Sequence, residues 1–201
     1  MAATLAEVGA LEVWQRRSSV RRFAEAPVGG EALAGLLGQL RRLDSEESPL
    51  PKARYGSAGS LYPVQVYVCV APGRVEGLAG GVYYYHPLEH ALARVGAVWP
   101  LTPERAPSNE GIAAGAAFAV VLVAHMAGIA PLYGALSERF CLIEAGLICQ
   151  VLEESAPGLG IGLCHVGSVN FAGLERDFGL AAGDMYLHAL FGGARPDHVA
   201  L

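Results

Sequence analysis

The chain has 201 residues, enough for one domain with a sizeable core, and no linker or repeat divides it, so residues 1–201 are read as a single domain. A net charge of −5, from 14 Lys and Arg against 19 Asp and Glu, argues against nucleic acid or an anionic membrane as the main partner. With 53% apolar and 16% charged residues, either the core is large or some apolar surface is covered by a second subunit.

Glu7 and Glu12 lie where a signal peptide would need a basic and then an apolar stretch, so none is read. Leu5, Val8, Leu11 and Trp14 recur at helical spacing and predict a first helix ending near the arginines. Pro27-Val-Gly-Gly30 breaks the chain, and Leu33, Leu36, Leu37, Leu40 and Leu43 mark an amphipathic second helix. Asp44–Pro51 reads as a polar loop. Val64–Ala71, Val82–His86 and Leu92–Val98 read as strands, the last two joined by a turn at Pro87-Leu-Glu. Trp99–Pro107, with three prolines, reads as a loop.

From Gly111 to Ser137 there is no Asp, Glu, Lys or Arg. The run is rich in Ala and Gly, holds His125 and is interrupted by Pro131, so a buried central strand over Phe118–Met126 is expected rather than a membrane span. Leu136 to Ser155 follows as a long helix with apolar residues on nearly all sides, the mark of a buried helix. Gly158–Gly167 is a Gly-spaced strand and loop, Asn170 caps a short helix to Phe178, and Met185–Phe191 is the last strand. This order of elements is α+β.

The cysteines show no pairing logic. Cys141 and Cys149 share a predicted helix about 12 Å apart along its axis, too far for a bridge. Cys69 and Cys164 fall in strand-like runs, and no C-x-x-C occurs, so free thiols in a reducing cytoplasm are expected. His86, Glu89 and His90 are separated by Pro87 and predict no metal helix. Cys164 and His165, adjacent on a strand, point to opposite faces and make no nucleophile–base pair. The Gly158–Gly167 run has no G-x-G-x-x-G and opens no helix, so a dinucleotide site is unsupported.

Two segments carry chemistry. Arg16, Arg17, Arg21 and Arg22 surround Ser18 and Ser19; guanidinium forks and hydroxyls suit phosphate oxygens, although an arginine-rich helix end alone also suits the helix dipole. Ser57-Ala-Gly-Ser60 is a small-residue, hydroxyl-rich loop running through Tyr62-Pro63 into a strand. Such a loop brings backbone N–H groups close to a flat polar ligand, or is a plain turn.

Arg17-Ser-Ser-Val-Arg-Arg-Phe23 and Ser57–Pro63, followed in order by Val-Tyr-Tyr-Tyr-His-Pro, Glu-Ala-Gly and Gly-Leu-Cys-x-Val-Gly, resemble the nitroreductase superfamily, and within it the oxidase domains of nonribosomal peptide synthetases. The resemblance implies an α+β nitroreductase-like fold, a central mixed or antiparallel sheet flanked by helices, dimeric around the long buried helix. It implies FMN as cofactor, with Arg17, Ser18, Ser19, Arg21 and Arg195 toward the phosphate and ring. Ser57, Ala58, Gly59 and Ser60 would reach the flavin from the opposite subunit, and the backbone N–H groups of Val166 and Gly167 would face its N5. Ala58 and Ser60 depart from the Ser and Asn of true nitroreductases, as the oxidase branch does. Tyr133 stands in the Leu132-Tyr-Gly segment as the implied general acid or base, but Leu132 replaces the Lys of bacteriocin-type azoline oxidases, and Tyr133 is equally read as structural. The implied reaction is oxidation of a thiazoline or oxazoline held on a peptidyl carrier protein, with nitroreduction and oxidation of an acyclic aminoacyl group as rivals. Arg41, Arg42, Lys52 and Arg54 form a local basic patch, read either as a carrier-docking surface or as an ordinary solvated face.

Overall fold

A computed structural model describes residues 18–46 and 48–196. The helix expected over Leu5–Trp14, together with Arg16 and Arg17, lies outside the described residues. Helix α1 (Gly30–Gly38) precedes a hairpin of β1 (Leu43–Ser45) and β2 (Ser48–Lys52). Strands β3 (Val64–Val70), β4 (Gly81–His86) and β5 (Ala91–Gly96) follow, then α2 (Glu110–Gly115) and β6 (Phe118–Ala124). The short α3 (Ala130–Tyr133) leads into the long α4 (Ser137–Ser155), and β7 (Ile161–Val166) and β8 (Met185–Ala194) close the fold.

The main sheet has six strands in the order β5-β4-β3-β6-β8-β7, and every neighbouring pair is antiparallel. All residues of β6 are buried, which explains a run without charges or polar alternation: both faces of this strand are covered. Val66, Val68 and Leu122 face α1 and α4, with Leu36, Leu40, Ile148 and Leu152. Cys69, Val121 and Val123 face the other way, onto Ile112 of α2 and onto Phe171 and Phe178. The fold is α+β, as expected, with the sheet antiparallel throughout.

Three expectations are corrected. Asp44–Pro51 is not a loop but lies within the β1–β2 hairpin, where Leu43 faces Lys52. Helix α1 stops at Gly38, short of Leu40 and Leu43, because the Arg42 N–H turns away to the carbonyl of Pro87 at 3.1 Å. The helix expected from Asn170 to Phe178 is a chain of turns. There the Asn170 N–H is given to the Arg105 carbonyl at 2.7 Å, and the Arg105 guanidinium takes the carbonyls of Asn170 and Ala172, so another segment holds the groups a helix would use.

Helix α4 spans the expected range. Its buried residues, Cys141, Glu144, Ala145, Ile148, Cys149 and Leu152, recur at helical spacing, whereas Leu142, Ile143 and Leu147 are 51%, 52% and 40% exposed. Within one chain the helix buries one face and leaves an apolar stripe on the other. The four cysteines are free and buried. Among the described residues no helix is long and apolar enough to cross a membrane.

Candidate functional site

Strand β7 is an outer strand of the sheet, and the segment before α1 crosses it, bonding β7 at Val20 and the end of β8 at Ala24. The Val20 N–H donates to the Leu163 carbonyl and the Ala24 N–H to the Ala194 carbonyl, both at 2.9 Å. Two glycines make this close approach possible: a Cβ on Gly162 would lie 2.6 Å from the Val20 side chain, and one on Gly193 would lie 2.7 Å from Phe23. The motif's last residue, Phe23, is therefore a packing anchor, and it seats Ser18, Ser19 and Arg21 beside β7. Arg195 joins them, its N–H bonded to the Gly160 carbonyl at 2.9 Å where β7 begins. At the other end of β7, Val166 is buried, while Gly167 is exposed and has no atom within 4 Å of where a Cβ would stand. A ligand can approach the backbone there without meeting a side chain. The Ser18–Arg21 stretch is thus bonded to β7 through Val20 and Arg195 is bonded where β7 begins, while Val166 and Gly167 stand at the other end of the strand; Arg17 lies outside the described residues.

A cavity of about 310 Å³ opens between α4 and the strands β7 and β8. Leu142, Ala145 and Leu187 give it apolar walls, and Cys149, Glu153, His165 and His188 give it a polar floor. Ile161 and Leu163 face the core shared with α4, whereas Cys164 and Val166 point into the opposite core, so Cys164 and His165 do not converge. His165 instead meets His188, Nδ1 to Nε2 at 2.7 Å, and its Nε2 lies 3.4 Å from Glu153 Oε1. Burial, and then the charge on His165, hold the His188 ring below the ordinary imidazole range. Burial, and then the charge on Glu153, push the Cys149 thiol up to about 12.

Donor atoms of Cys149, His165 and His188 lie within 4.8 Å of one another, the grouping among the described residues close enough to hold a metal ion. Tetrahedral zinc with nitrogens at about 2.0–2.1 Å sets its donors roughly 3.3 Å apart. The two rings, at 2.7 Å, are closer than that and stand at hydrogen-bond distance.

The second grouping is the hydroxyl-rich loop. Gly59, Ser60 and Tyr62 have φ of 60°, 57° and 51°, a left-handed path that two non-glycine residues hold only because it is pinned. Ser57 Oγ accepts the Tyr62 N–H at 2.8 Å, Tyr62 Oη accepts the Ala53 N–H at 3.0 Å, and Lys52 donates to Ser60 Oγ. Beneath the loop lies Glu144, 2% exposed. Its Oε1 accepts the Val64 N–H at 3.2 Å, the Ser57 hydroxyl bonds the same carboxyl, and its Oε2 has no partner. Burial pushes this carboxyl up to about 7, against the pull of those hydrogen bonds and of Arg42. Tyr133 packs edge-on against Phe140 at 5.0 Å, with its hydroxyl 2.8 Å from where a Gly59 Cβ would stand, so it belongs to this loop and not to the cavity.

The basic patch is largely engaged within the chain. Arg42 lies 5.4 Å from the centre of the Tyr62 ring, Lys52 bonds Ser60, and Arg54 bonds Gln39; Arg41 is exposed. The sequence reading gave no functional role to Cys149, Glu153, His165 or His188, and used Glu144 only as the first residue of the Glu-Ala-Gly fragment. The one available signal was a carboxylate amid the apolar run of α4.

The antiparallel sheet with helices on both faces, the cationic segment along its edge and the pinned hydroxyl loop define a protein of the nitroreductase fold. The chain belongs to the nitroreductase family, whose sequence profile matches residues 14–193. It is 30% identical over 149 residues to indigoidine synthase of Dickeya dadantii, a match covering 73% of this chain and 9% of that protein, so the chain spans only a small part of that relative's length. Among solved structures it resembles the Escherichia coli microcin synthetase McbBCD complex with truncated pro-MccB17 bound, with a TM-score of 0.74, 21% identity and coverage of 96% of this chain and 76% of that one. It also resembles a Desulfovibrio desulfuricans protein described as a nitroreductase in complex with FMN, with a TM-score of 0.60, 15% identity and coverage of 96% and 89%. At these identities the two structural likenesses speak for the fold alone.

Proposed function

We propose that this chain is an FMN-dependent oxidase that converts a carrier-tethered thiazoline or oxazoline to the thiazole or oxazole in nonribosomal peptide biosynthesis. The carrying observation is the β7 edge. The stretch with Ser18, Ser19 and Arg21 is bonded to β7 through Val20, Arg195 is bonded where β7 begins, and Gly167 leaves open backbone at its far end. Hydroxyl, guanidinium and backbone donors thus border a strand that also walls the cavity, a set suited to a flat ring with a phosphate tail. Family membership and the FMN complex of a related fold support the cofactor. The likenesses to indigoidine synthase and to the microcin synthetase complex support a biosynthetic oxidation.

FMN, when bound, supplies a two-electron acceptor. Ser18, Ser19, Arg21 and Arg195, with Arg17, would hold its phosphate, and the Val166 and Gly167 N–H groups would face the ring edge. The exposed stripe of Leu142, Ile143 and Leu147 pairs two copies, and the Ser57–Ser60 loop of each then reaches the other's cavity. Tyr133, held over Gly59, serves as general acid or base, passing the proton lost from the substrate carbon on to solvent as its hydroxyl receives it. Leu132, 68% exposed, offers the tyrosine no cation, so its environment must come from the bound substrate. The chain would work in the cytoplasm, in step with a peptidyl carrier protein.

The purified protein should be yellow with bound FMN, and a thiazoline thioester should bleach it in the absence of air. A flavin reduced by NAD(P)H and indifferent to the thioester would make the chain a nitroreductase. The match to indigoidine synthase favours a second reading, oxidation of a tethered acyclic aminoacyl group. A panel of cyclic and acyclic thioesters separates the two.

A further inference from the structure

We propose that Cys149, His165 and His188 form a site for a divalent metal ion of zinc's kind in the cavity between α4, β7 and β8, with Glu153 holding His165 from behind. The inference goes beyond the reaction proposed above and does not rest on its flavin seat. The fold delivers these side chains from three elements. Cys149 and Glu153 are four residues apart, so one face of α4 carries both. Alternation sets His165 on the face of β7 that bears Ile161 and Leu163, and His188 on the face of β8 that bears Leu190. Ile161, Leu163 and Leu190 pack in the core shared with α4, so both imidazoles face the helix. All four side chains line the cavity, and donor atoms of Cys149, His165 and His188 lie within 4.8 Å of one another.

An independent observation points to a ligand here. The Glu153 side chain is 10% exposed, and its Oε1 is buried without a hydrogen-bond partner, 3.4 Å from His165 Nε2. A buried carboxyl oxygen left in this state is costly, and an N–H on His165 Nε2 brought slightly closer would satisfy it. Metal-bound histidines are held in this way, one ring nitrogen on the metal and the other donating to a carboxylate. His165 Nδ1 is then the ligand, and it faces His188 Nε2 at 2.7 Å. At that distance the two nitrogens share one proton. An ion takes the proton's place once the rings part by about 0.6 Å, to the roughly 3.3 Å that tetrahedral zinc sets between imidazole nitrogens, with the sulfur about 3.6 Å from each. His165, its side chain 38% exposed, is the ring with room to move.

The donor set selects the ion. A thiol with two imidazoles suits zinc and its neighbours in the first transition row, and not magnesium or calcium, which take oxygen ligands. On binding, the Cys149 thiol loses its proton to solvent. The ring that held the shared proton carries it on its far nitrogen instead, so the site gives up one proton and gains a divalent ion. The Glu153 carboxylate behind His165 offsets part of that charge. Three protein ligands leave the fourth position of a tetrahedral ion open toward the cavity, and the ion ties α4 to both strands.

The test uses the full chain, stripped of metal with a chelator and titrated with zinc against a chromophoric competitor. One equivalent should bind. Cys149→Ser and His188→Gln each remove a ligand and should weaken binding more than about 10²-fold, whereas Glu153→Gln, which weakens only the hydrogen bond behind His165, should cost about tenfold. Cobalt in place of zinc should give the wild type a thiolate-to-cobalt charge-transfer band, a readout that needs no variant to fold. Zinc should raise the thermal unfolding midpoint of the wild type and not that of Cys149→Ser. Zinc held equally well by Cys149→Ser, or cobalt bound without the thiolate band, overturns the site in favour of adventitious binding by surface histidines. A wild-type midpoint that zinc leaves unmoved overturns the tie between α4 and the strands. No step of the test uses flavin or substrate. A chain that binds zinc but no FMN therefore upholds the site while the function proposed above fails, and the reverse result overturns the site alone.

Discussion

On one side of α4, Glu144 is closed in beneath the Ser57 loop; further along the same helix, Glu153 lines an open cavity next to two imidazoles. The first carboxyl takes the Val64 N–H and the Ser57 hydroxyl, and burial raises it to about 7. The second has a histidine nitrogen 3.4 Å from its Oε1, which has no hydrogen-bond partner. The contrast teaches how one helix holds two carboxyls in different settings: the walled-in group fixes a strained loop, and the other borders a cavity beside an imidazole. If this division is right, substitutions on the loop side should alter substrate oxidation and loop stability, and those along β7 should alter flavin binding.

The largest effect should come from Tyr133 on the loop side. Tyr133→Phe should keep its flavin and reoxidise normally, yet oxidise a thiazoline thioester about 10²–10⁴-fold more slowly in an anaerobic single turnover. Slowed reoxidation with normal substrate oxidation would erase the division between the two sides of α4. Unchanged rates in both halves would return Tyr133 to a packing role against Phe140.

Next in size is Glu144 itself. The folded chain holds its proton up to about pH 7, whereas the unfolded chain releases it near 4.5, so the folded state binds more protons across that window. This group's contribution to stability is complete below pH 4.5 and falls as pH rises to 7, by about 3 kcal/mol in all. Glu144→Gln keeps an acceptor for the Val64 N–H and cannot ionise. Urea unfolding at pH 5 and pH 7.5 should therefore show the wild type losing this stability and the variant keeping it. Parallel pH dependence in the two proteins would mean that Glu144 is already ionised in the fold.

Beside β7, Arg21→Ala should weaken FMN binding ten- to a hundredfold, the equivalent of roughly 1.5–3 kcal/mol for a charge-assisted contact. Arg22→Ala should change it little, because the motif register aims Arg17 and Arg21, and not Arg22, at the phosphate. Fluorescence titration of the flavin-free protein measures both, and equal losses would show the register to be displaced by one residue.

Much of this architecture was legible because burial wrote it into the sequence. The charge-free run Phe118–Ala124 could only be a strand covered on both faces, and α4 announced its length, though not that its Leu142, Ile143 and Leu147 face would remain bare. The hairpin at Leu43–Lys52 was hidden by Pro49 and Pro51, which weaken a strand reading. The helix expected after Asn170 failed to a distant competitor, the Arg105 carbonyl and guanidinium, which no local pattern records. The same holds for the site. Ser19, Arg21 and Ser57–Ser60 stand in short motifs, but His165 and His188 meet only through the register that sets Val166 opposite Ala189, a fact of pairing rather than of spacing.

The smallest effect lies beyond both sides of α4, at the basic patch. Arg42 is held at the Tyr62 ring, Lys52 by Ser60 and Arg54 by Gln39, so these three cations serve the loop before they can serve a partner. Arg41, exposed beside them, is the member left for docking an acidic carrier protein. Long-range attraction of this kind acts on association rate and is screened by salt. Arg41→Glu should therefore raise KM for a carrier-bound substrate a few-fold at low ionic strength, with the difference shrinking as salt is added and kcat unchanged. A small soluble thiazoline mimic needs no docking and should be oxidised as before. If the mimic is slowed as much as the carrier-bound substrate, the charge reversal has reached the loop through its neighbour Arg42, and the patch is part of the fold rather than a surface for a partner.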